Sequence, residues 1–540
     1  MPASPVRARV LFALTLVVPL AVYAAGAARF LRAGVGYEMD EAIYTESAVF
    51  MLRGDGEPPF VHEPAAWIPV GGRPWPLMII PYVGATKAYA TLPLFAVFGI
   101  STQTARLAGV ALAGLGLVGL STLIAVHAGL LPAFWTGLFL AIHPSYLDLT
   151  VFDNGGTAVW MGAMGLLALA LGHHLRHATR ASAFGLGLAA GLAVWARANL
   201  AWLLAAAIAA ALILLRRRAV PPRRILTSMG VGGLLGASPL VWYELVSWFA
   251  TLRYMHGASQ PLTAPLLASR LHGAAEVMVA DREQRVIWGG PPNPAWQVGL
   301  GAALLVLVAV AVLVKRPPDG DRRTAARQAW RRWFALTALL LLLILATSGL
   351  NVSQHHIAAI LPLAAAALAI LAVELAARAR TLVPMLAAVA AALAVLLVGW
   401  DLRIDRGLRA TGGIRAFSSA IDDVSRELLA RRLPSDRLKV LNWGIHNNLY
   451  VVSGGAVHGT ELFWGATKRR TQQGRLWDDE IRDGGAFLLF AFPMGPPSIG
   501  DGAVGFEEAL ARYPGPRTVT VFRERSGTPY ARLVEIPAAH

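Results

Sequence analysis

The stretch "RVLFALTLVVPLAVYAAGAARFLRAGVGYEMDE" (residues 9–41) opens with an apolar run behind Arg7 and Arg9 and closes on two adjacent carboxylates, Asp40 and Glu41. A helix of about 20 apolar residues matches a hydrocarbon core ~30 Å thick. A basic start followed by such a run also describes a secretory signal, but many similar runs follow, so it reads as an uncleaved first span. The acidic pair then falls at the water–lipid boundary. Carboxylates at a helix start are favoured by the helix dipole alone. The same place suits a general base for chemistry at the membrane surface.

The rest of the chain repeats the apolar theme. Its 540 residues are 56% hydrophobic and only 15% charged, with a mean hydropathy of +0.53. Candidate spans lie near 10–31, 103–126, 130–147, 157–172, 181–196, 199–215, 225–246, 297–314, 333–350, 356–376 and 382–400. The expectation is an α-helical polytopic membrane protein of about 11 spans. The alternating ten-residue segments of a membrane β-barrel are absent from the sequence. With no cysteine, disulfides, thiol catalysis and cysteine metal sites are excluded. Segment 76–98 is apolar but carries prolines and Lys87, which favours a juxtamembrane or re-entrant element; a full span is the alternative.

The net charge of +16 would suggest nucleic acid in a soluble protein. Here the arginines sit in short loops, so orientation and lipid headgroups explain them and no nucleic-acid partner is expected. With the N-terminus cytoplasmic, Arg7, Arg9, Arg176, Arg180, "RRRAVPPRR" (216–224), the 315–332 stretch, Arg378 and Arg380 all fall inside, about 18 basic residues in all. That count selects the orientation. The polar residues near the other span ends then gather outside: Asp40, Glu41, Lys87, "HPSYLDLTVFDN" (143–154), "WARAN" (195–199) and "NVSQHH" (351–356). Charge near a span is costly unless paired or hydrated, so a one-sided cluster suggests a hydrated cavity. The outer loop 247–296, rich in Gly, Pro and Trp, reads as an interfacial loop with aromatic anchors or as a lid.

After Trp400 the composition becomes that of a soluble domain. "RAFSSAIDDVSRELLARRL" (415–433) has helical periodicity. "LKVLNWG", "GAFLLFAFP", "RTVTVFRER" and "YARLVEIP" read as strands, the last two joined as a hairpin. The division is therefore 1–400, a transmembrane catalytic domain, and 401–540, an extracytoplasmic α/β domain of unknown role.

Nucleotide-activated donors and ATP stay in the cytoplasm, so an outward site would draw on lipid-linked donors such as polyprenyl-phosphate sugars. Transfer from one needs a carboxylate for the acceptor proton, cations for the departing phosphate and a groove for the lipid. Asp40 or Glu41 is the candidate base. Lys87, Arg197, His355 and His356 are candidates for the phosphate, Arg197 foremost because guanidinium offers a fork. Asp148 and Asp153 would orient these cations or hold a divalent metal with Asp40. No cofactor is assigned, and a divalent metal is left open. Each of these also has a plain reading: helix caps for the acids, snorkelling for Lys87, a turn for Arg197 and an interfacial histidine pair.

In this order the motifs resemble the GT-C fold glycosyltransferases, especially the family-39-like group of protein O-mannosyltransferases, lipid A aminoarabinose transferases and RgtA/B/C/D-like bacterial enzymes. The similar features are "DE" after span one, Lys87 in a proline-rich outer segment, "FGISTQTARLAGV" with Gly99 and Arg106, Asp153, "GLAVWARANLAWLL" and "HHIAAILPLAAA". They cover roughly residues 10–375. The usual "KPP" near the lysine and the arginine before the second-loop Asp are absent. The resemblance implies inverting sugar transfer from a polyprenyl-phosphate donor, with Asp40 as base and Lys87 and Arg197 on the phosphate. It implies a bacterial plasma-membrane enzyme of cell-envelope chemistry whose acceptor is a lipid, glycan or protein. A transporter or flippase of a lipid-linked substrate is the alternative.

Overall fold

The computed structural model describes residues 5–54, 64–215, 222–257, 259–279, 284–315, 322–350, 352–462, 473–492 and 502–538. The basic residues at 216–218, part of the 315–332 stretch and Asn351 lie outside them. The apolar runs fold as helices: α1 (Pro5–Leu31), α4 (Thr102–His127), α5 (Leu130–Ala141), α6 (Pro144–Val151), α7 (Thr157–His177), α8 (Arg180–Ala196), α9 (Leu200–Leu215), α10 (Arg223–Gly236), α11 (Ser238–Val246), α15 (Ala295–Leu313), α16 (Arg322–Thr347), α18 (Leu361–Arg378) and α19 (Val383–Thr411). Among the described residues, seven helices are long and apolar enough to cross a membrane. Two bent pairs, α5–α6 at 61° and α10–α11 at 60°, and two shorter apolar helices, α8 and α9, occupy the remaining candidate segments. The chain is a multi-pass integral membrane protein. Each bend falls where a proline, Pro144 or Pro239, opens the second helix, because proline cannot donate into the preceding turn.

Small residues decide how the spans pack. A Cβ on Gly187 of α8 would stand 1.9 Å from the Met229 carbonyl of α10, and one on Gly232 would stand 2.1 Å from the Phe184 carbonyl. Gly187 and Gly191 on α8, and Gly232 and Gly236 on α10, are each four residues apart, the spacing that lets two helix backbones touch. The contacts advance together along both helices, so α8 and α10 run parallel, with α9 crossing back between them in sequence. α4 and α7 are parallel by the same logic, with Gly119 against the Gly165 backbone.

Segment 76–98 holds no single helix long enough to cross a membrane. It forms short strands β2 (Arg73–Pro76), β3 (Met78–Ile80) and β4 (Val83–Gly84), followed by helix α3 (Thr86–Phe98). β2 pairs with β1 (Trp67–Val70), and β3 pairs with β4. The first-loop acids open α2 (Met39–Arg53). The 247–296 connection carries α12 (Ala250–Gly257), α13 (Ala264–Val277) and α14 (Gln284–Ile287), and α17 (Gln354–Ile357) precedes α18.

Beyond α19 the chain forms a five-stranded sheet in the order β6-β5-β7-β9-β8. Its strands are β5 (Leu438–Val440), β6 (Thr460–Glu461), β7 (Gly485–Phe490), β8 (Thr518–Arg523) and β9 (Pro529–Ile536). β5 is parallel to β6 and β7, whereas β9 is antiparallel to β7 and β8. Every residue of β7 is buried, the mark of a strand covered on both faces. Ala486, Leu488 and Phe490 meet α20 (Ala420–Arg431) and α21 (Ile445–Val452). Phe487 and Leu489 meet α22 (Gln473–Asp483) and α23 (Gly502–Arg512).

This sheet unit docks on α2. The Asn448 side-chain amide donates to the Tyr37 carbonyl at 2.8 Å, Gly36 N–H donates to the Phe417 carbonyl at 2.9 Å, and Asn447 donates to buried Glu46.

Candidate active site

α2 starts with a reciprocal cap. The Glu38 carboxylate accepts the Asp40 N–H at 2.6 Å, and the Glu41 carboxylate accepts the Glu38 N–H at 3.3 Å. Such a box satisfies donors that a helix start leaves open. It also fixes where the two acids aim, since neighbouring positions on a helix point about 100° apart.

Glu41 turns inward. Arg106 of α4 donates to it twice, Nε to Oε2 and Nη2 to Oε1, both at 2.7 Å. The same guanidinium donates to the carbonyls of Val35 at 3.0 Å and Gly36 at 2.7 Å, and lies 4.8 Å above the Phe152 ring. Burial raises the Glu41 carboxyl above its ordinary value, and Arg106 opposes that rise. Glu41 therefore ties α2 to α4 and has no oxygen turned to a substrate.

Asp40 turns the other way and keeps partial exposure. Burial is the largest influence on its carboxyl and raises it. Arg197, the Gly155 N–H and Lys87 pull it back, while Asp153 adds to the rise. Four of the residues singled out in the sequence thus share one electrostatic neighbourhood.

Lys87 is the second residue of α3 and is only 2% exposed. It is ion-paired to Asp153 and lies 5.7 Å over the Tyr44 ring. Lysine this deep is found almost only when paired, and the sequence offered no carboxylate nearby. Asp153 stands in left-handed backbone (φ 43°), followed by Gly155 and Gly156 at φ 62° and 67°. Aspartate tolerates this region better than most residues. Its Oδ1 also accepts the Ala158 N–H at 2.6 Å.

Arg197 ends α8 in extended backbone, pairs with Val83 as a bridge, and is 1% exposed. Its Nη1 donates to the Gly155 carbonyl, and its Nη2 lies 3.4 Å from His356 Nε2. One residue, Gly155, therefore serves both ends of the site, its carbonyl to Arg197 and its N–H to Asp40. A Cβ there would meet the His355 ring at 2.5 Å, so only glycine fits. The His355 and His356 rings are 4.2 Å apart. His356 Nδ1 accepts the Ser353 N–H at 3.1 Å. A neutral imidazole with Nδ1 accepting carries its proton on Nε2, so Arg197 Nη2 and His356 Nε2 face each other as two donors.

Asp148 lies buried on α6, and that helix ends at Val151, before the turn that aims Asp153. Among the described residues no three His, Asp or Glu side chains are arranged to hold a metal ion, and Asp153 is committed to Lys87 and Ala158. The donor set does not fit the divalent metal considered from sequence.

Three aromatic neighbours of Asp40 were not singled out in the sequence. Tyr44 is four residues on from Asp40 along α2, a spacing that brings side chains together. Tyr82 stacks with Tyr254 of α12 at 5.2 Å, and both feel the Asp40 charge. Nothing local in the sequence joins Tyr254 to the others.

No family model matches the sequence, and no curated protein matches it. Solved structures do. Apo ArnT from Cupriavidus metallidurans is similar with a TM-score of 0.59 at 14% identity, covering 98% of each chain. ArnT from the same organism bound to undecaprenyl phosphate is similar with a TM-score of 0.57 at 15% identity, again covering 98% of each chain. At this identity the likeness speaks for architecture, and the GT-C-like fold expected from the sequence is the fold of this chain.

Proposed function

We propose that the chain is a membrane glycosyltransferase that moves a sugar from a polyprenyl-phosphate donor to an acceptor hydroxyl or amine, with inversion. The reading is carried by Nη2 of buried Arg197 and Nε2 of half-buried His356, two donors 3.4 Å apart with no acceptor between them in that geometry. A phosphate oxygen supplies that acceptor. Arg197 presents the fork that phosphate oxygens match, Lys87 adds a charge beside it, and His355 closes the wall over Gly155. ArnT, whose fold this chain shares, has been captured with undecaprenyl phosphate, a ligand of the same chemistry.

Asp40 acts as the base. It takes the acceptor proton as the acceptor atom bonds to the anomeric carbon. The bond from that carbon to the phosphate oxygen breaks, its electron pair stays on phosphate, and polyprenyl phosphate departs. Charge grows on phosphate during this step, where fixed cations lower the barrier most. Glu41 is a positioning residue: it holds Arg106 and with it the start of α2. Asp153 positions Lys87. Asp148 has no place in the step.

The basic helix ends support an extracytoplasmic site in a plasma membrane. Arg7, Arg176, Arg180, Arg223 and Arg378 stand at span ends remote from Asp40, Lys87 and Arg197, and positive charge favours the cytoplasm. The unit beyond residue 400 then lies on the site's side and covers α2.

The test is release of polyprenyl phosphate from polyprenyl-phosphate sugars by purified protein and its Asp40→Asn variant. The variant is expected to lose at least ~10²-fold, the scale of removing a positioned base. Equal release by both proteins rejects Asp40 as base. Transbilayer movement of donor without sugar release favours the flippase instead.

A further inference from the structure

The far ends of α4 and α7 hold a second cationic feature, about 30 Å from Lys87 and Asp153 by the length of α7. A cleft of about 150 Å³ opens there, and its walls include Thr122, Leu123, Leu169, His173, Arg176 and His177. One wall is apolar, formed by the half-buried side chains of Val126 and Leu169 over the packed Leu123. The other carries three basic side chains, all exposed. His173 and His177 are one turn apart, with ring centroids separated by 4.4 Å. The adjacent His174 is engaged elsewhere, with Nδ1 3.0 Å from Ser182 Oγ.

We propose that this cleft binds an anionic phospholipid, its phosphate on Arg176, His173 and His177 and an acyl chain along Val126 and Leu169. Basic pockets between spans hold anionic headgroups in this way. The combination of wall types selects a lipid over a free anion, because inorganic phosphate leaves the apolar wall uncovered. It also disfavours a metal. A histidine pair at this spacing suits a transition metal, but Arg176 lines the same cleft and repels a cation. Among the described residues no third His, Asp or Glu joins the pair. The site is independent of sugar transfer and holds whether or not Asp40 is a base.

The experiment uses the full chain, purified in detergent and stripped of lipid. Native mass spectrometry counts phosphatidylglycerol and, separately, phosphatidylcholine bound at matched concentrations. The wild type should retain phosphatidylglycerol preferentially. The triple variant His173→Gln, Arg176→Gln, His177→Gln should lose roughly tenfold in phosphatidylglycerol affinity with phosphatidylcholine unchanged. Arg224→Gln, which removes an exposed charge from the same layer of helix ends but outside the cleft, should bind as the wild type does. The proposal would be overturned by equal retention by wild type and triple variant, by an equal loss in Arg224→Gln, or by displacement of phosphatidylglycerol by millimolar inorganic phosphate. Zn²⁺ binding that His173→Gln abolishes without touching lipid retention would do the same.

Discussion

Glu41 and Arg106 meet through two hydrogen bonds of 2.7 Å each, and neither side chain is more than 3% exposed. Breaking a buried pair by removing one partner costs roughly 3–5 kcal/mol, because the other charge is left uncompensated. Glu41→Leu and Arg106→Met should each lower the denaturation midpoint strongly. The double variant should be less destabilised than the two losses added together. Strict additivity in a thermal melt would show that the pair is not coupled.

Arg197 offers a planar fork where lysine offers a point charge. Arg197→Lys keeps the charge but cannot donate both to Gly155 and toward His356. Turnover of a polyprenyl-phosphate sugar should fall on the order of 10²-fold, the scale for losing one donor to developing charge. A variant that turns over at the wild-type rate would remove Arg197 from the phosphate.

Burial holds the Asp40 carboxyl above the ordinary aspartate value, and Arg197 and Lys87 oppose it. A base must be ionised, so activity should fall as pH drops through this raised value. The acid limb is expected above the range of a free aspartate. Arg197→Gln removes an opposing cation, which makes ionisation harder, so the limb should move to higher pH. The pH profiles of kcat/KM for the two proteins check this, and a shift to lower pH would contradict the assignment.

Glu46 links α2 to the sheet unit through Asn447. It is 1% exposed, and burial pushes its carboxyl well above the ordinary glutamate value. A carboxyl raised in the folded state gives its full stabilisation below the unfolded value and loses it as pH climbs through the folded one. Wild-type stability should therefore decline between a pH near the ordinary glutamate value and a pH well above it. Glu46→Gln, which cannot ionise, should flatten that decline. Melting curves at the two pH values decide it, and parallel declines would exclude Glu46 as the cause.

Much of this architecture is legible in residue order. All eleven apolar segments became helices or bent helix pairs, and 76–98 holds short strands and a 13-residue helix in place of one long apolar helix. The bends at Pro144 and Pro239 went unread because a proline near the start of a helix and one that turns a span look alike in sequence. In the soluble unit the four strands and the 415–433 helix were visible from periodicity. β6, α21, α22 and α23 were not, and the mixed strand order depends on long-range pairing. At the site, residue types pointed to Asp40, Lys87, Arg197 and the histidines. Their partners did not emerge: Lys87 to Asp153 and Glu41 to Arg106 join residues about 65 positions apart, and no local pattern records such distances.

The parallel contact of α8 with α10 has a consequence for biosynthesis. Gly187 meets backbone that lies roughly 45 residues later in the chain. At about 5–20 residues per second the ribosome needs several seconds to deliver it. During that interval α8 waits in the bilayer with its glycine seam open to lipid, while α9 inserts and passes beside it. The seam closes only when the third helix arrives, so a substitution at Gly187 would be felt first as delayed assembly at the translocon and only afterwards as a weaker finished bundle.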